Sequence, residues 1–227
     1  MGEVSWGAPQ PIVDLLCDTL ALRTCVETGT FRGDSAAAFA GRFDRVITIE
    51  ASPTLAAAAC RRLAPFPNVD ARHGDSRQVL PEVVAGLEEP ALFWLDGHYC
   101  GQGTHGVTGQ CPVLEEIATI VAAAPAHVLL IDDARLFLEP PPLPLHAVDW
   151  PAIDEICRAV AAGDRRRFIT VHDDVIVAVP EEAREAVTRW LVDRATAREA
   201  ERHRGMIASA LRIIRRQFGR GTSGERP

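Results

Sequence analysis

Two rhythms of apolar and polar positions alternate along this chain. Short apolar runs at 25–29, 45–50, 69–73, 91–96 and 127–132 have the length of buried strands. Between them, alanine-rich stretches at 35–43, 53–64, 76–86 and 113–124 carry the spacing of helices. Ahead of the first strand, Ile12, Leu15, Leu16 and Leu20 recur at helical intervals between Pro11 and Leu22, which predicts a helix covering one side of a sheet. Short strands separated by helices form βαβ units, so the pattern predicts an α/β fold with a mainly parallel, doubly wound sheet.

The rhythm then changes. The segment 134–148, with Pro140, Pro141, Pro142 and Pro144, is expected to hold no regular structure. Asp149-Trp150-Pro151 offers a helix start and Gly163 a helix stop. Phe168–His172 and Val175–Val179 then flank Asp173-Asp174 and read as a hairpin, although Asp-Asp is a weaker turn than Asp-Gly. Five parallel strands and a closing antiparallel hairpin make seven. Beyond the hairpin, Ile207, Leu211, Ile214 and Phe218 share one helical face, with Arg204, Arg212, Arg215 and Arg216 largely on others. The expected organisation is one domain over 1–180, including the N-terminal helix, and a C-terminal helical extension over 181–227 with a disordered end. The extension suits packing or a homo-oligomer contact; a membrane-surface helix is the alternative.

Composition narrows the classes. Of 227 residues, 47% are apolar and 24% charged, ordinary for a globular protein with a sizeable core. A formal charge of −7 does not favour nucleic acid as the main partner, although residues 194–220 carry eight arginines against Glu199 and Glu201. No apolar run approaches the roughly 18 residues of a transmembrane helix and no export signal is evident, so a cytoplasmic protein is expected. Six irregularly spaced cysteines then read as reduced thiols.

Ligands of such sheets bind outside the carboxyl ends of the strands. Those ends carry Glu27, Glu50, Gly74-Asp75-Ser76, Asp96-Gly97-His98 and Asp132-Asp133. After the first strand comes Glu27-Thr28-Gly29-Thr30-Phe31-Arg32-Gly33, a glycine turn that lets backbone approach a ligand, and Glu50 ends the second strand, where a carboxylate can accept from both ribose hydroxyls. This spacing is not the G-x-G-x-x-G of a dinucleotide site, and a P-loop is excluded because the chain contains no lysine. The pattern E-x-G-x-x-x-G followed by an acid resembles the first two motifs of class I S-adenosylmethionine-dependent methyltransferases. That resemblance implies the Rossmann-like methyltransferase fold. It also implies cofactor contacts from Glu27, Gly29, Thr30 and Gly33 on the methionine side, from Glu50 on the ribose, and from Asp75 and Ser76 beside the adenine. For Ser76, plain N-capping of the next helix is an equal alternative.

The pair Leu95-Asp96-Gly97-His98 and Leu130-Ile131-Asp132-Asp133 resembles the metal-dependent macrocin-type sugar O-methyltransferases. There the corresponding acids hold magnesium, which implies Asp96, Asp132 and Asp133 as ligands; three carboxylates form the oxygen-rich shell that this ion prefers. Adjacent strand residues point to opposite faces, so Asp132 and Asp133 can share an ion only if the chain turns there. The match departs from the family at Gly97-His98, where Gly-Asp is common, and the lysine base of catechol-type relatives is missing. His98 is then the candidate general base, with Asp96 next. His98, Cys100, His105 and Cys111 lack zinc-ligand spacing. Gly97, Gly101, Gly103, Gly106 and Gly109 suit a mobile loop over the acceptor, Tyr99 within it and Arg135 being the candidate substrate contacts.

The resemblance implies a magnesium-dependent O-methyltransferase acting on a hydroxyl of a small molecule or sugar. A non-catalytic S-adenosylmethionine-binding module, or another chemistry on the same fold, is the alternative.

Overall fold

The computed structural model describes residues 7–98 and 109–218, with side chains described to residue 207 and at 209 and 212. The chain divides into two compact units, Met1–Arg184 and Glu185–Pro227.

The first unit is built on a seven-stranded sheet of order β3-β2-β1-β4-β5-β7-β6. The strands are β1 (Thr24–Thr28), β2 (Arg45–Glu50), β3 (Val69–His73), β4 (Leu92–Leu95), β5 (Val128–Ile131), β6 (Arg167–His172) and β7 (Val175–Pro180). All pairings among β1 to β5 are parallel, and β7 runs antiparallel to both β5 and β6. The helices are α1 (Gln10–Leu20), α2 (Asp34–Ala40), α3 (Pro53–Leu63), α4 (Ser76–Ala85), α5 (Val113–Val121), α6 (Arg135–Leu138), α7 (Ile153–Ala161) and α8 (Arg184–Phe218). The expected doubly wound sheet with a reversed last strand is therefore the observed architecture.

Central strands read as continuous apolar runs because both of their faces are covered. Val26, Ile47, Phe93, Leu129 and Ala178 lie in one row and pack against Leu80, Val83, Ile117, Ile120, Ile156 and Val160 of α4, α5 and α7. The alternate residues Val46, Leu92, Trp94, Leu130 and Val177 are also fully enclosed, on the side where α2 and α3 contact the sheet. On that side α1 is tied to the end of α2, because Arg42 bonds Asp14 and Asp18. Each fully buried Leu, Ile or Phe here contributes roughly 1.5–3 kcal/mol.

Two expectations are corrected. The proline-rich segment 134–148 does contain regular structure, the single helical turn α6, because its first six residues precede the prolines and Arg135 is held by the hairpin turn. The helix expected to start at Asp149 starts at Ile153 instead. Ala147–Asp149 form a 3₁₀ turn, Trp150 is extended, and Glu155 caps the true start through the Ala152 N–H.

In the second unit α8 runs to Phe218, with Met206 and Ile207 exposed. The side chains of Leu211, Ile214 and Phe218, and the end expected to be disordered, lie outside the described residues. Among the described residues no helix is long and apolar enough to cross a membrane, and Cys17, Cys25, Cys60, Cys111 and Cys157 are free thiols.

Candidate active site at the strand ends

The register sets the site. Thr28 of β1 pairs with both Ile49 and Leu95, and Leu95 pairs with Ile131, so the carboxyl ends of β2, β1, β4 and β5 finish level. The ladder continues one residue further, with Gly29 N–H on Ile49 O (2.9 Å), Asp96 N–H on Thr28 O (3.1 Å) and Asp132 N–H on Leu95 O (3.0 Å). Strand order reverses between β1 and β4, which is where such sheets open a crevice.

The turn after β1 is pressed against the end of β4. Gly29 has φ +86°, and a Cβ there would lie 2.1 Å from the Asp96 carbonyl oxygen, so only glycine fits. Gly33 also has positive φ, +78°, but a Cβ there would meet only the Leu63 side chain at 3.2 Å. Glu50 stands beside this turn. Its Oε2 accepts from the Phe31 N–H and its Oε1 from the Ser52 N–H, both at 2.8 Å, so the carboxylate is fixed as a two-pronged acceptor.

Glu27 is placed differently from the expectation that it faces the cofactor. It is 0% exposed beneath the turn, where it accepts from the hydroxyls of Ser35 and Thr48 (2.5 Å to Thr48). Burial pushes its pKa up to about 7, against the lowering effect of those two hydroxyls. Thr48 meets the Thr30 hydroxyl at 2.6 Å, so a chain of hydroxyls links Glu27 to the turn. Asp75 caps α4 by accepting from Arg77 N–H at 2.9 Å, and its carboxylate pairs with the Arg77 guanidinium at 2.6 Å.

At the ends of β4 and β5 the structure gathers Asp96, His98, Asp132, Asp133 and Arg135. Asp133 adopts φ +57°, and this left-handed residue is the turn that lets adjacent acids serve one site. The conformation is held locally, because the Asp133 N–H donates to Asp132 Oδ1 at 2.8 Å. The hairpin holds it from outside. Asp173 and Asp174 form the turn with φ +47° and +66°, and Asp174 accepts from the Arg135 N–H (2.8 Å) and pairs with its guanidinium. Arg135 in turn grips Asp133 Oδ1 at 2.6 Å. An Asp-Asp turn replaces Asp-Gly here because its second carboxylate clamps the neighbouring strand end.

His98 Nε2 lies 3.1 Å from Asp133 Oδ2 and 3.5 Å from Asp96 Oδ1. Its ring rests on Trp150, which packs on Phe137 and reaches Gln110 Oε1 through Nε1 at 3.4 Å. Gln110 Oε1 also accepts the His146 N–H at 2.8 Å, so the proline-rich segment and residue 110 together fix the ring's backing. Burial alone would lower the His98 pKa, but its contact with Asp133 and the charges of Asp96, Asp133 and Asp132 outweigh it and raise the value. Asp133 is held low, because His98 and Arg135 outweigh its burial. Burial pushes Asp96 up to about 8, with Asp132, Asp133 and Glu27 adding to it and His98 opposing. Asp132 rises to about 6 through burial and its neighbour Asp133.

The two candidate bases differ in exposure. Both ring nitrogens of His98 are buried and the side chain is 7% exposed, whereas the Asp96 side chain is 30% exposed. Asp96 is the more exposed of the two. Tyr99 and the glycines 101, 103 and 106 lie outside the described residues.

Sequence reasoning missed Glu116. It is 1% exposed on α5, its Oε1 has no hydrogen-bond partner among the described residues, and neither has the buried Thr28 Oγ1. Both atoms point at Gly97, where a Cβ would lie 3.1–3.2 Å from them. Burial pushes Glu116 up to about 7, with the Ser76 hydroxyl and His98 among the groups opposing. A signal existed: Val113, Glu116, Ile117 and Ile120 share one helical stripe, so an acid interrupts an apolar face.

No protein-family model matches this sequence, and no curated protein sequence matches it. Solved structures do share its fold. An O-methyltransferase from Bacillus cereus, in complex with S-adenosylhomocysteine, is 20% identical with a TM-score of 0.55, covering 77% of this chain and 82% of that one. TomG from Streptomyces achromogenes, an O-methyltransferase of tomaymycin synthesis in complex with S-adenosylmethionine, is 20% identical with a TM-score of 0.54, covering 78% and 82%. CalS10 from Micromonospora echinaspora, an amino pentose methyltransferase of calicheamicin biosynthesis, is 16% identical with a TM-score of 0.51, covering 75% and 89%. The chain has the Rossmann-like fold of these enzymes.

Proposed function

We propose that this chain is an S-adenosylmethionine-dependent O-methyltransferase acting on a hydroxyl of a small molecule or a sugar. The observation that carries this reading is the Glu50 carboxylate beside the Gly29 turn. Each of its oxygens accepts one backbone N–H and keeps a second acceptor position. Two adjacent ribose hydroxyls are the ligand that such a fixed pair of acceptors fits. Gly29 lets the turn close on the end of β4 and so shapes the place of the methionine half, Thr30 and Gly33 complete the turn, and Asp75 and Ser76 border the adenine side. Glu27 braces the turn from below. The fold shared with S-adenosylmethionine and S-adenosylhomocysteine complexes supports the same cofactor.

The acceptor then lies over the ends of β4 and β5. Asp96, a carboxylate made more basic by burial, takes the hydroxyl proton. The acceptor oxygen forms a bond to the methyl carbon as the carbon–sulfur bond breaks, and the electron pair stays on sulfur, leaving S-adenosylhomocysteine. Holding oxygen, carbon and sulfur in line supplies much of the rate. Arg135, still 37% exposed while paired with Asp133 and Asp174, contacts polar groups of the acceptor, and His98 positions Asp96 from behind.

Magnesium is the ion implied by the resemblance, and the donor set as placed does not fit it. Asp133 Oδ1 is held by Arg135 and its Oδ2 faces His98, Asp132 Oδ1 accepts a backbone N–H, and Asp96 Oδ1 also faces His98. Among the described residues no three His, Cys, Asp or Glu side chains converge to hold an ion. Two of the three expected ligands, Asp96 and Asp133, instead face the His98 ring.

The test is transfer of tritiated methyl from S-adenosylmethionine to a panel of phenolic and glycosidic hydroxyl compounds. Label on an acceptor, lost in Asp96→Asn, is the expected result. Tight S-adenosylhomocysteine binding with no transfer to any hydroxyl would favour the non-catalytic module instead.

A further inference from the structure

We propose that Thr48 and Ser35 are positioning residues of the cofactor site: each donates its hydroxyl proton to the buried Glu27 carboxylate, and together they hold both limbs of the turn 29–35. The inference deepens the methyltransferase reading, on which it rests for the ligand, but its geometry stands separately.

Glu27 is 0% exposed, and among the described residues the Ser35 and Thr48 hydroxyls are its hydrogen-bond donors. A carboxylate accepts and cannot donate, so the direction of each bond is set. Thr48 has one hydroxyl proton and gives it to Glu27 Oε2 at 2.5 Å. In its 2.6 Å contact with Thr30 it is left as the acceptor, and the Thr30 hydroxyl must donate. The chain therefore runs one way, from Thr30 through Thr48 to Glu27. Thr30 lies on the limb that leaves β1 and Ser35 in the first turn of α2, so the two carboxylate oxygens secure both ends of the turn.

The backbone alone holds the incoming limb weakly. The Gly29 N–H reaches Ile49 O at 2.9 Å, but the next bond from the turn to β2, from the Thr30 N–H to the same oxygen, is 3.3 Å long. The hydroxyl chain supplies a second and shorter tie at that residue. The following residue, Phe31, donates its N–H to Glu50 Oε2 at 2.8 Å. A shift of Thr30 thus moves a donor that orients the carboxylate assigned to the ribose. A buried hydroxyl is unfavourable unless it is bonded, and valine has nearly the shape of threonine, so the hydroxyl at the wholly buried position 48 of β2 acts through its two bonds.

The full-length protein is studied at about pH 8.5, above the value of about 7 to which burial lifts Glu27, so that the carboxylate is ionised. S-adenosylhomocysteine affinity by calorimetry and urea denaturation are measured for wild type, Thr48→Val, Thr48→Ser, Thr30→Val, Ser35→Ala and the double variant Thr30→Val with Thr48→Val. Thr48→Val and Ser35→Ala should each weaken binding at least about threefold, while Thr48→Ser, which keeps the hydroxyl, should stay within about twofold of wild type. The double variant should bind no more weakly, and denature no more easily, than the worse of its two single variants, because a chain already cut is not cut again. If Thr48→Val does not fold, Thr30→Val must weaken binding at least about threefold and Thr30→Ser must not. Wild-type affinity in either Thr48→Val or Ser35→Ala would overturn the inference, and so would losses that add in the double variant. Absence of S-adenosylhomocysteine binding by wild type would strike the methyltransferase reading, and the urea midpoints of the single and double variants would still decide this one.

Discussion

Gly29→Ala should damage this protein far more than Gly33→Ala, although both glycines lie in the same turn with nearly the same positive φ. The left-handed conformation costs a residue with a Cβ about 1–2 kcal/mol, and this applies equally at +86° and +78°. The surroundings differ. At Gly33 the new carbon meets the end of the Leu63 side chain at 3.2–3.4 Å, which yields by a small rotation. At Gly29 it lies 2.1 Å from a backbone oxygen and 2.6 Å from the carbonyl carbon of Asp96. Neither backbone atom can rotate away, so β1 and β4 must separate at the end that carries the site. Overpacking of this kind costs about 1–3 kcal/mol. The total is about 2–5 kcal/mol for Gly29→Ala against about 1–2 kcal/mol for Gly33→Ala, out of the roughly 5–15 kcal/mol that holds a domain folded. Urea denaturation at equal protein concentration reads both, and calorimetry with S-adenosylhomocysteine reads the site. Equal midpoints for the two variants, or unchanged ligand affinity in Gly29→Ala, would refute the argument that this turn is pressed on β4.

Three further outcomes are expected. His98→Ala should lower kcat about 10- to 100-fold and move the rising limb of its pH profile to higher pH, because the His98 ring normally opposes the upward shift of the Asp96 pKa; disappearance of the limb would make His98 the base instead. Glu116 has a folded pKa raised to about 7 from 4.5, so the folded state holds its proton more strongly and wild-type stability falls as pH rises from about 4.5 to 7. Glu116→Gln should therefore become more stable relative to wild type by up to about 3 kcal/mol between pH 4 and 8, and a pH-independent difference would contradict this. Asp174→Asn, which tolerates φ +66°, should cost about 1 kcal/mol in denaturation and lower kcat by loosening Arg135 and Asp133, whereas a silent variant would show that the hairpin does not set the site.

The sheet was legible because its signal is local and repeated: apolar runs of strand length, helical stripes between them, and a pair of β-branched strands around Asp173-Asp174. The strand-end acids were legible for the same reason, since strand ends define the crevice. What escaped depends on contacts between distant segments. Nothing near Glu27 in sequence says that Ser35 and Thr48 enclose it, and the position it shares with ligand-facing acids suggested exposure. The burial of His98 was not legible because Trp150, which backs its ring, and Gln110, which bonds Trp150, lie 52 and 12 residues away. Asp174 looked like a poor turn residue, since its partner Arg135 lies on another connection. The short α6 was hidden by the prolines behind it. Glu116 alone was readable and overlooked, as an acid in the apolar stripe of α5.

The central claim is an adenosine site fixed by Glu50 beside the glycine turn. Its most direct test is calorimetric titration of wild type and Glu50→Ala with S-adenosylhomocysteine and, separately, with NAD. The account predicts S-adenosylhomocysteine binding to wild type, weakened at least about tenfold in Glu50→Ala through loss of charge-assisted contacts of about 1.5–3 kcal/mol, and no comparable NAD binding. Tight NAD binding with no S-adenosylhomocysteine binding, or an unchanged affinity in Glu50→Ala, would contradict it.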